Sequence, residues 1–287
     1  MYYLGFDIGA SSIKAALVKD KEIIKKQLEE TPLDLDGLLV SLENIFNGLA
    51  VDMPKKEING LGFGFAGMFD GRREIMLNSP NIGYLDNQPL KKLLEKKFGF
   101  SPVKVEHDAN CFLLAEKETG LAKKFKNVFY LTLGSGVGGA WMTDGKIFTG
   151  SHGAAAEVGH MILDIHHGFD LERLVSNKFI VSFLGAASDQ AGKLAEDGDA
   201  RAQEVLSQMG KNLGVGVANI INIFDPEAII ISGGLSEAKK FILPGIEEGI
   251  KKFVVSPAAR ETEILFSQLG RFGGAFGAAL LAADNIN

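Results

Sequence analysis

Four short stretches of this 287-residue chain combine residue types that could do chemistry. Asp7 and Gly9 lie in Phe6-Asp-Ile-Gly-Ala-Ser-Ser12, at the end of an apolar run, and Thr132, Gly134, Ser135 and Gly136 lie in Leu131-Thr-Leu-Gly-Ser-Gly-Val-Gly138, at the end of another. Asp108 follows His107 in Glu106-His-Asp-Ala-Asn110, and Glu157 precedes His160 by three residues in Glu157-Val-Gly-His160. Small residues at the first two turns let backbone N–H groups approach an anionic oxygen, and Ser11, Ser12, Thr132 and Ser135 add hydroxyl donors. That chemistry suits phosphate. A carboxylate beside a phosphate cradle repels its ligand unless a divalent cation sits between them. Asp7 therefore reads as a Mg²⁺ anchor, directly or through water; the plain alternative is an aspartate that caps its own turn.

The two turns are copies of one unit. Each is followed by a second apolar strand (Ile13 to Val18; Gly139 to Met142), a charged turn (Lys19 to Glu22; Thr143 to Lys146) and the start of a third strand. Two copies of a β-hairpin unit predict two similar lobes. Residues 2 to 29 read as three strands, 34 to 50 as a helix with Asp34 or Asp36 as its cap, and 60 to 66 as a buried strand. A helix over 88–98 and a strand over 103–106 follow, then a helix from 109 to 118. Asp108 falls at that strand-to-helix junction, where a helix N-terminus tolerates a charged carboxylate and an N-cap role is the plain alternative.

The second lobe begins near Asn127 and carries a long helical region over 187–223, broken at Asp197-Gly-Asp199. A strand over 228–231 leads into Ser232-Gly-Gly234, where Gly233 and Gly234 allow close backbone approach to a flat or anionic ligand. The expected division is 1–118 and 119–287, with a small-residue helix at about 270–287 packing back on the first lobe.

Composition narrows the function classes. Hydrophobic residues make up 46% of the chain and glycines number 35, which fits a globular protein rich in turns rather than a disordered one. A net charge of −6, with no stretch that gathers Lys and Arg, argues against a nucleic-acid surface. Cys111 is the single cysteine, so neither an intrachain disulfide nor a cysteine-based zinc site can form. No apolar run reaches a membrane span, and Asp7 interrupts what would be the apolar part of a signal peptide, so a cytoplasmic location is expected.

The order of these motifs, with Ile231-Ser-Gly-Gly234 as the last, resembles the ROK family of sugar kinases and sugar-responsive repressors across nearly the whole chain. The resemblance implies an α/β actin-like ATPase fold: two ribonuclease-H-like lobes with a cleft between them. It also implies transfer of the γ-phosphoryl of ATP to the 6-hydroxyl of a hexose or N-acetylhexosamine, and a homodimer. Carried over by position, Asp108 is the catalytic base, and Asn81, His107, Glu157, His160 and Glu172 contact the sugar. Asp7, Gly9, Ser11, Ser12, Lys14, Thr132, Gly134, Ser135 and Gly136 serve Mg-ATP, and Gly233 and Gly234 flank the adenosine.

Chemistry supports the first assignment independently, since a sugar hydroxyl is a poor nucleophile and an aspartate can both orient it and take its proton. Glu157 and His160 form an acceptor–donor pair suited to adjacent hydroxyls, although a core histidine is the plain reading of His160. Two departures stand out. Many members carry a cysteine-rich zinc motif after Glu-x-Gly-His; here the stretch is Leu163-Asp-Ile-His-His-Gly-Phe-Asp170, shorter and without cysteine, and no zinc is expected. A nitrogen and oxygen site of His160, His166, His167 and Asp170 is disfavoured because adjacent histidines in a strand point to opposite faces. His107 replaces an asparagine usual in the family. The rival readings are a polyphosphate-dependent glucokinase, a sugar sensor without catalysis, and an actin-like chaperone ATPase, the last giving no reason for the Glu157 and His160 pair.

Overall fold

The computed structural model describes residues 1–51, 54–100, 103–186, 188–234 and 238–283. The chain forms two compact units, one of residues 1–123, 147–155 and 269–287 and the other of residues 124–146 and 156–268. No helix among the described residues is long and apolar enough to cross a membrane.

The first unit opens with β1 (Tyr2–Ile8), β2 (Ser12–Lys19) and β3 (Glu22–Glu30), then α1 (Leu35–Leu49), β4 (Ile58–Phe65), β5 (Met68–Phe69), β6 (Met76–Asn78), α2 (Leu90–Phe98), β7 (Val103–His107) and α3 (Asp108–Thr119). Its main sheet runs β3-β2-β1-β4-β7, antiparallel in the opening meander and parallel from β1 to β7. Of the two expected caps of α1, Asp34 is the one used: its side chain accepts the Gly37 N–H at 2.7 Å. Helix α2 starts at Leu90 rather than 88, because Pro89 occupies the capping position and disfavours a helical residue before it.

The alternation of β1 and β4 sends large side chains to one face and glycines to the other. Leu4, Phe6 and Ile8 pair in register with Leu61, Phe63 and Phe65, all fully buried. The Phe6 and Phe63 rings stack at 4.8 Å, and Phe98 of α2 closes on Phe63 at 5.8 Å. The opposite face presents Gly5, Asp7, Gly62 and Gly64.

The second unit repeats this plan. Its strands β8 (Val128–Leu133), β9 (Val137–Thr143) and β10 (Lys146–Ile147) lead to a small hairpin of β11 (Ile162–Asp164) and β12 (Phe169–Asp170), then α4 (Leu171–Val175), α5 (Asn177–Leu184), α6 (Ser188–Glu196) and α7 (Ala200–Phe224). The strand β13 (Ala228–Ser232), α8 (Lys239–Phe253) and β14 (Glu263–Phe266) complete it. The sheet order β10-β9-β8-β13-β14 matches that of the first unit strand for strand. The expected break in the long helical region separates α6 from α7, where Asp199 caps α7 through the Ala202 N–H at 2.8 Å.

The last helix, α9 (Gly273–Ala283), belongs to the first unit and lies on the glycine face of β1 and β4. A Cβ at Gly62 would sit 1.7 Å from the Ala278 carbonyl oxygen, and one at Gly5 would sit 1.9 Å from that of Ala275. Backbone therefore meets backbone with no side chain between them.

Candidate active site

In the first unit the sheet itself assembles the charged residues. Lys14 pairs with Asp7, Asp7 with Gly64 and Gly64 with Glu106, so the four form one row across four strands with their Cβ positions on one face. Gly64 leaves a gap in that row, and α3 fills it: a Cβ at Gly64 would lie 3.1 Å from Cys111 Sγ and 3.6 Å from Asp108 Cα. Asp108 is thus held over the row at the first residue of its helix, one position earlier than the expected helix start.

Asp7 is only 4% exposed, and burial pushes its carboxyl up to about 6, opposed by Lys14 and reinforced by the negative charge of Asp108. Lys14 Nζ lies 3.5 Å from Asp7 Oδ2, and the first turn of α9 approaches so closely that a Cβ on Gly274 would be 2.9 Å from Asp7 Cγ. Asp7 lies one residue before Ile8, which ends β1 ahead of the Gly9–Ser12 turn, and its carboxylate oxygens are hard donors of the kind that Mg²⁺ takes.

The adjoining turn is built by Thr31 as well as by its own residues. Gly9 N–H donates to Ser12 O at 3.1 Å, Thr31 N–H to Ser11 O at 3.2 Å, and Thr31 Oγ1 to Gly9 O at 2.6 Å. Ser11 stays exposed and Ser12 half-buried at this turn.

Asp108 accepts the Ala109 N–H through Oδ1 at 2.7 Å, and His107 Nδ1 stands 3.4 Å from the same oxygen. The carboxylate remains about a quarter exposed. Behind it, Glu106 Oε1 accepts the His107 N–H at 2.7 Å and Asn110 Nδ2 at 3.0 Å, and Arg73 Nε pairs with it at 2.8 Å. The same three carboxylates reach Cys111, whose thiol is pushed well up by burial and then by Glu106, Asp7 and Asp108, with Arg73 opposing. Asn81 is exposed; beside it Ser79 Oγ donates to Ala66 O at 2.9 Å and Ser79 N–H to Asp86 Oδ1 at 2.7 Å.

In the second unit, Gly134 heads an open turn. Its N–H donates to Gly136 O at 2.9 Å, and nothing lies within 4 Å of where its Cβ would be. Gly136 serves a different need, because the space of its missing Cβ is taken by Glu172 Oε2, which accepts the Val137 N–H at 3.0 Å. Glu172 thus supports the turn from below while lining, with Phe169, Asp170, Arg173, Lys178 and Phe179, a cavity of about 670 Å³. Thr132 is half-buried at the end of β8, and Ser135 is exposed. Gly233 adopts φ +97°, and a Cβ there would lie 2.0 Å from Leu133 O, so glycine is needed for β13 to leave the sheet at this point; Gly234 beside it is exposed.

Two further glycines set the Glu157 segment. A Cβ at Gly139 would meet Ala156 O at 2.2 Å, and one at Gly159 would meet Val137 O at 2.3 Å. The backbone of the 3₁₀ turn over Val158–His160 therefore lies directly on β9, with Glu157 half-buried at its start. His160 is no core histidine: its side chain is 63% exposed, and Nδ1 faces Asp170 Oδ2 at 3.3 Å. Asp170 also caps α4 through the Arg173 N–H at 2.9 Å.

His166 and His167 lie in the turn of the β11–β12 hairpin rather than in a strand, because Asp164 draws both their N–H groups to Oδ1 at 3.0 and 3.1 Å. The His167 ring also bonds Asp164 Oδ2 at 2.7 Å and holds that carboxyl below its ordinary value. Among the described residues no group of three or more His, Cys, Asp and Glu side chains converges as a metal site. Arg73, Glu106, Asn110 and Thr31 carry no role that the sequence alone marks, and Asp170 pairs with His160 and caps α4 rather than joining a metal site with the histidines. Glu106 and Asn110 stood in the same short motif as Asp108, but nothing local marks their partner at position 73.

Two units of one topology, each a five-stranded sheet with a glycine-rich hairpin turn, define the actin-like ATPase fold. The ROK family model matches residues 3–285, and the chain belongs to that family. The chain is 30% identical to the N-acetyl-D-glucosamine kinase of Vibrio parahaemolyticus, with 98% of this chain and 99% of that protein aligned. It is 28% identical to the glucokinase of Streptomyces coelicolor over 98% and 97%. A solved ROK family glucokinase from Streptomyces griseus, in complex with glucose and AMPPNP, superposes with a TM-score of 0.85 at 26% identity, covering 99% of each chain.

Proposed function

We propose that this protein is a sugar kinase that transfers the γ-phosphoryl of Mg-ATP to a hydroxyl, the 6-hydroxyl by preference, of a hexose or N-acetylhexosamine. The observation that carries the reading is the placement of Asp108. Its partly exposed carboxylate stands at a helix start over the Lys14–Asp7–Gly64–Glu106 row, in the unit that also holds the Gly9–Ser12 turn. The similarity to glucokinases and to an N-acetylglucosamine kinase supports the substrate class.

Asp108 accepts the proton of the attacking hydroxyl and aligns its oxygen, with Oδ1 already fixed by the Ala109 N–H. Asn81, His107, Glu157, His160 and Glu172 orient the sugar through its other hydroxyls. The N–H groups and hydroxyls of Gly9, Ser11 and Ser12, with Lys14, and those of Thr132, Gly134, Ser135 and Gly136 hold the nucleotide phosphates. Asp7 would hold Mg²⁺, which when bound neutralises charge on the transferring phosphoryl group.

The test crosses a panel of hexoses and acetamido-hexoses with ATP and with polyphosphate in a coupled assay. Asp108→Asn is expected to lower turnover by about 10²- to 10⁴-fold while sugar binding, measured by calorimetry, persists. Full turnover in this variant, or sugar binding with no phosphoryl transfer from either donor in the wild type, overturns the proposal.

A further inference from the structure

Arg73 takes no part in the chemistry proposed for Asp108, yet its backbone and its side chain are both unusual. It sits in the loop between β5 and β6 at φ +56°, a left-handed conformation that glycine adopts freely and a long side chain does not. The loop is anchored independently of the guanidinium: Asp70 Oδ1 accepts the N–H groups of Glu74 and Ile75 at 2.7 and 2.9 Å, and Arg73 N–H donates to Asp70 O at 3.0 Å. Arginine adds a largely buried bridge, from Nε to Glu106 Oε1 at 2.8 Å and from Nη1 to Gly153 O at 2.9 Å.

Glu106 in turn controls the approach to Asp108 from both sides. One oxygen holds the backbone N–H of His107, immediately before Asp108, and the side chain of Asn110, two residues after it. Such a carboxylate needs a counter-charge, because Asp7 lies two strands along the same row and Asp108 lies above it. Lys14 balances Asp7; Arg73 balances Glu106.

We propose that Arg73 is a positioning residue that, through Glu106, holds the β7–α3 junction in the geometry that presents Asp108. The proposal rests on the reading of Asp108 as the proton acceptor. Without the guanidinium, like charge drives the Glu106 carboxylate out of the row and frees both the His107 N–H and Asn110.

The test uses Arg73→Gly, which suits the left-handed backbone, together with Arg73→Lys, Glu106→Gln and the Arg73→Gly/Glu106→Gln double variant. Arg73→Gly is expected to lower kcat by about 10²-fold, with a smaller rise in the sugar KM because His107 belongs to the same junction. Arg73→Lys should recover part of the loss, since it restores charge without the second contact. The double variant should be no worse than the poorer single one.

Hydrogen exchange supplies a readout independent of activity: amides 107–111 should exchange about tenfold faster or more in Arg73→Gly. Unchanged exchange in those amides, or losses in kcat that add in the double variant, overturns the proposal. If the wild type phosphorylates no sugar, the functional reading fails, and exchange at 107–111 still decides whether Arg73 holds the junction.

Discussion

Replacing Asp7 by asparagine removes a charge that the fold keeps in an unfavourable place, and the consequence can be worked out with its sign. In the unfolded chain the carboxyl ionises near 3.8, whereas in the folded protein burial raises the value to about 6. Between those values the folded state holds the proton and the unfolded state releases it. The stabilisation from the neutral form is therefore complete below about pH 3.8 and is lost as pH rises through about 6. A tenfold difference in proton affinity is worth about 1.4 kcal/mol, so the change between the two states amounts to about 3 kcal/mol. The asparagine is uncharged at every pH and nearly isosteric, and its carbonyl can still accept from Lys14. The measurement is guanidinium unfolding of both proteins, without nucleotide or Mg²⁺, at a series of pH values from about 4 to 8. The variant is expected to match the wild type at the acid end and to gain up to about 3 kcal/mol at neutral pH. A stability difference that stays flat across the series would refute the reasoning, because it would mean that Asp7 ionises as an ordinary surface carboxylate.

Three further outcomes are expected. Gly62→Ala puts a methyl 1.7 Å from the Ala278 carbonyl oxygen and should destabilise the protein by roughly 1–3 kcal/mol or more, as overpacking against backbone does; thermal unfolding reads this directly. Glu172→Ala leaves the Val137 N–H without its carboxylate acceptor and should cost about 1–3 kcal/mol, together with weaker sugar binding in calorimetry. Elemental analysis of purified protein should find no stoichiometric zinc, since the hairpin that follows His160 is tied by Asp164 and Asp170 through their own hydrogen bonds.

Much of the scaffold was legible because it is encoded locally. The duplicated hairpins, the Asp34 cap, the break before Asp199 and the strand-to-helix step at Asp108 each depend on residues within a few positions of one another. The helix bounds of α8 are harder to read, since Pro244, Gly245 and Gly249 weaken the helical signal. Packing explains two of these residues: a Cβ on Gly245 or Gly249 would lie 2.4 Å from the backbone of α7, at Gly210 and Gly214. The charge pairing of the candidate site was not legible for another reason. Glu106 and Arg73 stand 33 positions apart, and only the parallel register of β1, β4 and β7, with the loop between β5 and β6 folded over it, brings a guanidinium to that carboxylate. Glycines at 136 and 233 read as ligand-facing in sequence. In the fold each yields its side-chain space to a neighbour, Glu172 and the end of β8.

The glycine face of β1 and β4 has a temporal consequence. Its covering helix lies at residues 273–283, whereas the strands it covers end at residue 65. On the ribosome, the glycine face of the strands made first must wait uncovered until residues 273–283 have emerged. All of the other unit, over 124–146 and 156–268, is by then already synthesised. Sealing of this sheet face therefore runs against the direction of translation, since strands made early are covered by a helix made late.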